Sequence, residues 1–227
     1  MTFQVERPAY HRRVLHLARF RVRRASASRD AVVRAARAVF ERDPESGLDA
    51  VAVEAGVPRR VVLRLFPTRD DLVAELAETA AQRLVAALEA VHHDDPLVEL
   101  ALLGGMVWDA VEYRRGNVRR ALRGRRRDRI RPSLVRIEDR LRRTVERCLA
   151  AGYGRRDRAP EATARLIAAA AVRVLDDAHR QHLGRDEGRR LLVLAGLGVL
   201  GLSWQQAAAV ASEHARTPGL PAPPAPA

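Results

Sequence analysis

From Ser28 to beyond Trp204 the apolar residues recur every three or four positions, and no stretch alternates at the period of two that a half-buried strand requires. That pattern confines the chain to helices packed on helices. Val32, Val33, Ala36, Val39 and Phe40 form the first apolar face, with Ser28 placed to cap it. Leu48, Val51, Ala52 and Ala55 form a short second face. Val62, Leu65 and Phe66 form a third, starting near Pro58, where a missing N–H costs nothing. "TRDD" at 68–71 opens a long fourth helix, with Thr68 as cap and Asp71 three residues on. Its stripe of Leu72, Leu76, Leu84, Leu88 and Val91 runs until "HHDDP" stops it. Further helices are predicted over 96–113, 132–151, 160–183 and 186–202, and a last one from Trp204.

Three short helices followed by a long connector read as a small head joined to a body. The expectation is an all-α chain in two domains: a three-helix head at 28–75 and a helical bundle at 76–216. An arginine-rich arm, 1–27, precedes them, and a Pro/Ala tail, 217–227, follows. The tail cannot bury a core and is expected to be disordered.

Charge separates these parts. All 41 basic residues of the 227 are Arg, against 28 acidic ones. Residues 1–27 carry a net +6 and residues 114–131 a net +9, together more than the chain's +13, so the remainder is slightly acidic. Basicity gathered into two segments suits a chain that meets a polyanion, although solvated surface arginine is the plainer reading of each. The single cysteine, Cys148, excludes an internal disulfide and fits a reducing cytoplasm; it falls on an apolar helix face, which predicts a buried thiol. The longest apolar run, 191–202, falls well short of the ~20 residues of a membrane span, so no membrane role is expected.

The stretch "AGVPRRVVLRLFPTRDDL", 55–72, reads as the second half of a helix-turn-helix. Ala55-Gly56 makes the tight turn, with Gly56 free to take a positive φ. "VVRAARAVF" and "AVAVEAGVPRRVVLRLFPTRDDL" resemble the first four helices of the TetR family of bacterial transcriptional regulators, over residues 29–90. Beyond that, only the helix count, the Gly152 loop and two apolar C-terminal helices agree. Departures fall on the recognition helix. The family has Ser, Gly, Thr and Tyr where this chain has Pro58, Arg60, Val61 and Leu63, a Lys where Arg69 stands, and a Thr where Gly47 or Asp49 stands. Its Tyr and Lys contact phosphate, so the resemblance implies that Leu63 loses one such contact and Arg69 keeps the other.

A recognition helix meets base edges with its N-terminal residues. Arg59 and Arg60 occupy that end, and Arg is the bidentate partner of guanine O6 and N7. Val61 and Leu63 suit thymine methyls. Arg64, Thr68 and Arg69 suit phosphates, and Arg23 and Arg24 of the arm suit a flanking groove. The resemblance also implies an effector pocket lined by the fifth helix, for which Trp108, Val111, Glu112, Tyr113 and Met106 are candidates, plain core being the other reading. Met106 and Trp108, two positions apart, cannot share a face. It implies a homodimer too, through a four-helix bundle with Ala171, Leu175, Leu194 and Leu197 at the interface.

His179, His182 and Asp176, or His92 to Asp95, have ligand chemistry, but a solvated face and a helix terminus account for them. No metal or cofactor is expected, and no catalytic arrangement of paired groups occurs. The implied function is a DNA-binding regulator released from double-stranded operator DNA by a small molecule. An Arg-driven, sequence-indifferent nucleic-acid binder is the alternative, and a helical enzyme using the body cavity a more distant one.

Overall fold

The computed structural model of the chain describes residues 29–112 and 126–214, and over these it contains helices and no strand. In chain order they are α1 (29–42), α2 (Leu48–Glu54), α3 (Arg59–Leu65), α4 (Arg69–Ala90), α5 (Pro96–Glu112), α6 (Arg126–Ala150), α7 (Pro160–Gln181), α8 (Arg185–Leu200) and α9 (Trp204–His214). The all-α reading holds. The chain divides into two compact units after Leu72. The arm with Arg23 and Arg24, the tail, Tyr113 and most of the second arginine cluster lie outside the described residues.

In the first unit Val32, Ala36, Val39 and Phe40 of α1 are buried, as are Val51 and Ala52 of α2, Val62 of α3, and Phe66. The α2–α3 turn is built by the backbone. Gly56 takes φ +63°, the Gly56 N–H donates to Val53 O at 3.1 Å, and the Val57 N–H donates to Ala52 O at 3.1 Å. This pair of bonds is a Schellman closure, which satisfies carbonyls that the end of α2 would leave open. At the start of α4, Thr68 and Asp71 cap each other's backbone: Thr68 N–H to Asp71 Oδ2 and Asp71 N–H to Thr68 Oγ1, both 3.1 Å. The expected capping box is present, with Asp in the place of the more usual Glu.

The second unit is organised around α8, which lies against α5, α7 and α9. Leu97, Leu100, Leu103, Val145, Cys148, Ile167, Leu194, Leu197 and Leu200 make one apolar core. Trp108, Ala178 and Leu192 make a second, smaller one. Two glycines set the α5–α8 approach. A Cβ on Gly188 would fall inside the Trp108 ring, and one on Gly105 would come within 2.7 Å of the Arg189 guanidinium. Asp109, nearly buried, takes Arg185 at 3.1 Å and Arg189 at 3.3 Å.

α4 and α6 run in the same direction and are tied at intervals along their length. Arg129 reaches Glu75 at 3.1 Å and Glu78 at 3.0 Å; further on, Arg143 reaches Glu89 at 2.8 Å. Between them Arg140, buried, donates to the carbonyls of Leu88 (3.1 Å) and Val91 (2.7 Å), closing the C-terminus of α4. The same guanidinium lies 3.0 Å from Glu99, and Arg147 lies 2.6 Å from its other oxygen. Burial alone would raise the Glu99 pKa. Hydrogen bonds from Thr144, the His93 N–H, Arg147 and Arg140 outweigh burial and bring it down to about 2.

One expectation is corrected here. The sixth helix was expected to begin at Pro132, but α6 begins at Arg126 and carries Pro132 in its interior. A proline removes one backbone bond without ending a helix whose flanking turns are held by tertiary contacts, and Arg129 supplies one such contact. Cys148 is buried as expected and donates to Pro96 O at 3.3 Å. Burial first, with the Asp95 and Glu99 charges nearby, pushes its thiol pKa up to about 12.

Candidate nucleic-acid interface

The closure at Gly56 sets α3 so that Val62, followed by Phe66, turns inward. The rest of the helix is left outward. Arg59, Arg60 and Arg64 are exposed, and Val61 and Leu63 half-buried. This brings together five of the residues expected to meet DNA. The surrounding surface carries no excess charge: residues 29–72 contain eight Arg and eight acidic residues. Partners therefore decide which cations remain available.

Arg59 is in contact with Asp49 in the first turn of α2. Arg42 is bound to Glu54. Arg60 and Arg64, one turn apart, pair with no acid among the described residues. Arg69, expected on phosphate, is turned toward its own chain. Its Nε donates to Ser46 O at 3.0 Å, an Nη donates to Pro44 O, and its guanidinium lies 4.9 Å from the centre of the Phe40 ring. Two of its five donors thus hold the 43–47 loop. In that loop Asp43 accepts from Ser46 Oγ (2.7 Å) and the Glu45 N–H (3.0 Å), which lowers its pKa. Thr68 Oγ1 is engaged by Asp71 at 2.6 Å, so its hydroxyl caps α4.

The sequence reading missed Asp49. No local spacing rule joins residues ten apart across a helix, a turn and a helix start. Its position in the first turn of α2 accounts for an acid there by the helix dipole alone.

In the body, Trp108 is 1 % exposed and packed against Ala178 and Leu192, with Val174, Leu175 and Leu183 around it. Met106 is packed against the other core, so the two residues do face apart. Val111 is half-buried, and the Glu112 side chain lies outside the described set. Of the four interface candidates, Ala171 and Leu175 are half-buried, whereas Leu194 and Leu197 are buried within a single chain. The last two face the core rather than a partner. The outward faces of α7 and α8 instead show Leu166, Val172 and Leu191. A shallow groove there is lined by Leu166, Ala169, Ala170, Gly198, Val199 and Leu202, together with Arg155 and Arg158. Among the described residues no helix is long and apolar enough to cross a membrane.

A helix-turn-helix head followed by a helical body defines a fold shared with known transcriptional regulators. The chain is similar to RolR solved with its ligand resorcinol, at 18% identity and a TM-score of 0.62, over 84% of this chain and 95% of that one. It is similar to SmeT, the repressor of the Stenotrophomonas maltophilia multidrug efflux pump SmeDEF, at 22% identity and a TM-score of 0.58, over 76% and 88%. It is also similar to a Rhodococcus sp. chain described as a TetR-family transcriptional regulator, at 16% identity and a TM-score of 0.60, over 77% and 100%. These likenesses are of fold: the chain has a TetR-like architecture. No protein-family model matches the sequence, and no curated protein does.

Proposed function

We propose that the chain is a ligand-responsive, DNA-binding transcriptional regulator that acts on operator DNA as a homodimer and is released by a small molecule. The observation that carries this reading is the set of α3. A backbone-closed turn at Gly56 holds a short helix with Arg60 and Arg64 exposed and unpaired among the described residues, while Val62 and Phe66 anchor it. A helix so anchored presents its N-terminal cations as a rigid reader of a major groove, where guanine offers O6 and N7 to Arg.

Dimerisation through the outward faces of α7 and α8 is supported by Leu166, Val172 and Leu191, exposed apolar residues on two adjacent helices. Gly198 adds to this. It lies inside α8, where glycine costs about 1 kcal/mol relative to alanine, yet a Cβ there would meet nothing among the described residues. Release by a small molecule rests on the fold neighbours: RolR holds resorcinol and SmeT has been solved with triclosan. In this chain Trp108 fills its site, so a ligand on the α5 face has to displace packed side chains, which is a population shift with a measurable cost.

Selection of bound duplexes from a randomised pool, with competitor DNA present, tests the reading. Enrichment of a two-fold symmetric site supports it. Retention of all sequences alike makes the protein the sequence-indifferent binder instead.

A further inference from the structure

The contact between Asp49 and Arg59 has a consequence for what α3 can read. Asp49 stands in the first turn of α2 and Arg59 is the first residue of α3, so across the turn at Gly56 the long Arg59 side chain reaches back to the start of α2. Asp49 Oδ1 is in contact with Nε of Arg59, on the flank of the guanidinium. A contact on that flank leaves the end-on pair of Nη groups for another acceptor. That pair matches guanine O6 and N7. Both side chains are well exposed, so the pair adds little to stability. An acid on the face that approaches a polyanion also works against binding by charge alone.

We propose that Asp49 is a positioning residue for DNA readout: it fixes the Arg59 guanidinium for bidentate recognition of one guanine, at the expense of affinity for DNA in general. This rests on the reading of α3 as the DNA-contacting helix. Arg60 and Arg64, unpaired among the described residues, reach bases or phosphate without such a guide.

The full-length protein and its Asp49→Ala, Asp49→Asn and Arg59→Ala variants are taken through duplex selection. Binding is then measured on the selected site, on that site with each base pair changed, and on unrelated duplex. Thermal melting of each variant accompanies these. In the expected result, the wild type prefers guanine at a position where Arg59→Ala loses that preference. Both Asp49 variants lose about tenfold of it at the same position, the size of one bidentate contact. Unrelated duplex binds them more tightly, and melting is unchanged. A purely structural Asp49 would move melting and leave base preference in place. The proposal is overturned if Arg59→Ala loses the preference and both Asp49 variants keep it within twofold. A wild type that enriches no sequence overturns the DNA reading itself, which is a separate and recognisable result.

Discussion

Trp108 of α5 lies directly over Gly188 of α8: a Cβ built on the glycine would fall 1.9 Å from the indole Cη2. The ring is buried against Ala178 and Leu192 and cannot rotate away cheaply. Gly188→Ala should therefore destabilise the body by about 1–3 kcal/mol, although alanine is the better helix former. Denaturant unfolding followed by circular dichroism measures this. Adding Trp108→Leu removes the obstructing ring, so the double variant should lose less than the sum of the two single losses. Simple additivity would show that the two residues do not collide.

Glu99 gives a stability that depends on pH in a defined window. Its folded pKa of about 2 lies below the ordinary 4.5, so its contribution is fully present above 4.5 and is lost as pH falls toward 2. Glu99→Gln leaves Arg140 buried with a weakened partner and should cost about 3–5 kcal/mol at pH 7. The gap between wild type and variant should narrow steadily from pH 4.5 to pH 2. A gap of constant size across that range would mean that the charge of Glu99 is not what holds Arg140.

Apolar residues on α7 and α8 divide by the face on which they sit. Leu166→Arg and Leu191→Arg should give folded monomers, since both residues are exposed on a single chain. Leu194→Arg buries a charge in the core and should unfold the body instead. Light scattering together with circular dichroism distinguishes the two classes. A wild type that is monomeric at micromolar concentration would end the dimer reading.

The arginines of the head should differ in what they contribute to DNA binding. Arg60→Ala should weaken the selected site by about 1–3 kcal/mol and relax one position. Arg64→Ala should weaken all duplexes and reduce the salt slope by about one. Removing residues 1–24, with the arm's arginines, should weaken specific and unrelated DNA alike and flatten the slope further. An unaltered slope would mean that the arm does not touch the duplex.

What the sequence made legible was local. Gly56, Thr68 and Asp71 announce a turn and a cap through residues at most three apart, and each stands in the structure as expected. Helix periodicity placed Val62 and Phe66 in the core for the same reason. What it could not resolve depends on contacts between distant segments. α8 is apolar around much of its circumference, so its pattern did not show that Leu194 and Leu197 face the core while Leu191 faces outward. Arg69 looks like any exposed cation until the 43–47 loop folds onto it. Glu99 is one acid among 28, and only the meeting of α5 with α6 makes it the centre of a buried network.

The ties between α4 and α6 have a mechanical consequence. Glu75 with Arg129 and Glu89 with Arg143 are both separated by 54 residues, so the two helices keep a single register over most of the length of α4 beyond Leu72. A slide of one along the other would leave Arg129 one of its two acids, Glu75 or Glu78, but would part Arg143 from Glu89. Arg140 would release Leu88 O and Val91 O in that movement too. The buried Arg140, rather than the exposed ion pairs on either side of it, is therefore what holds the register.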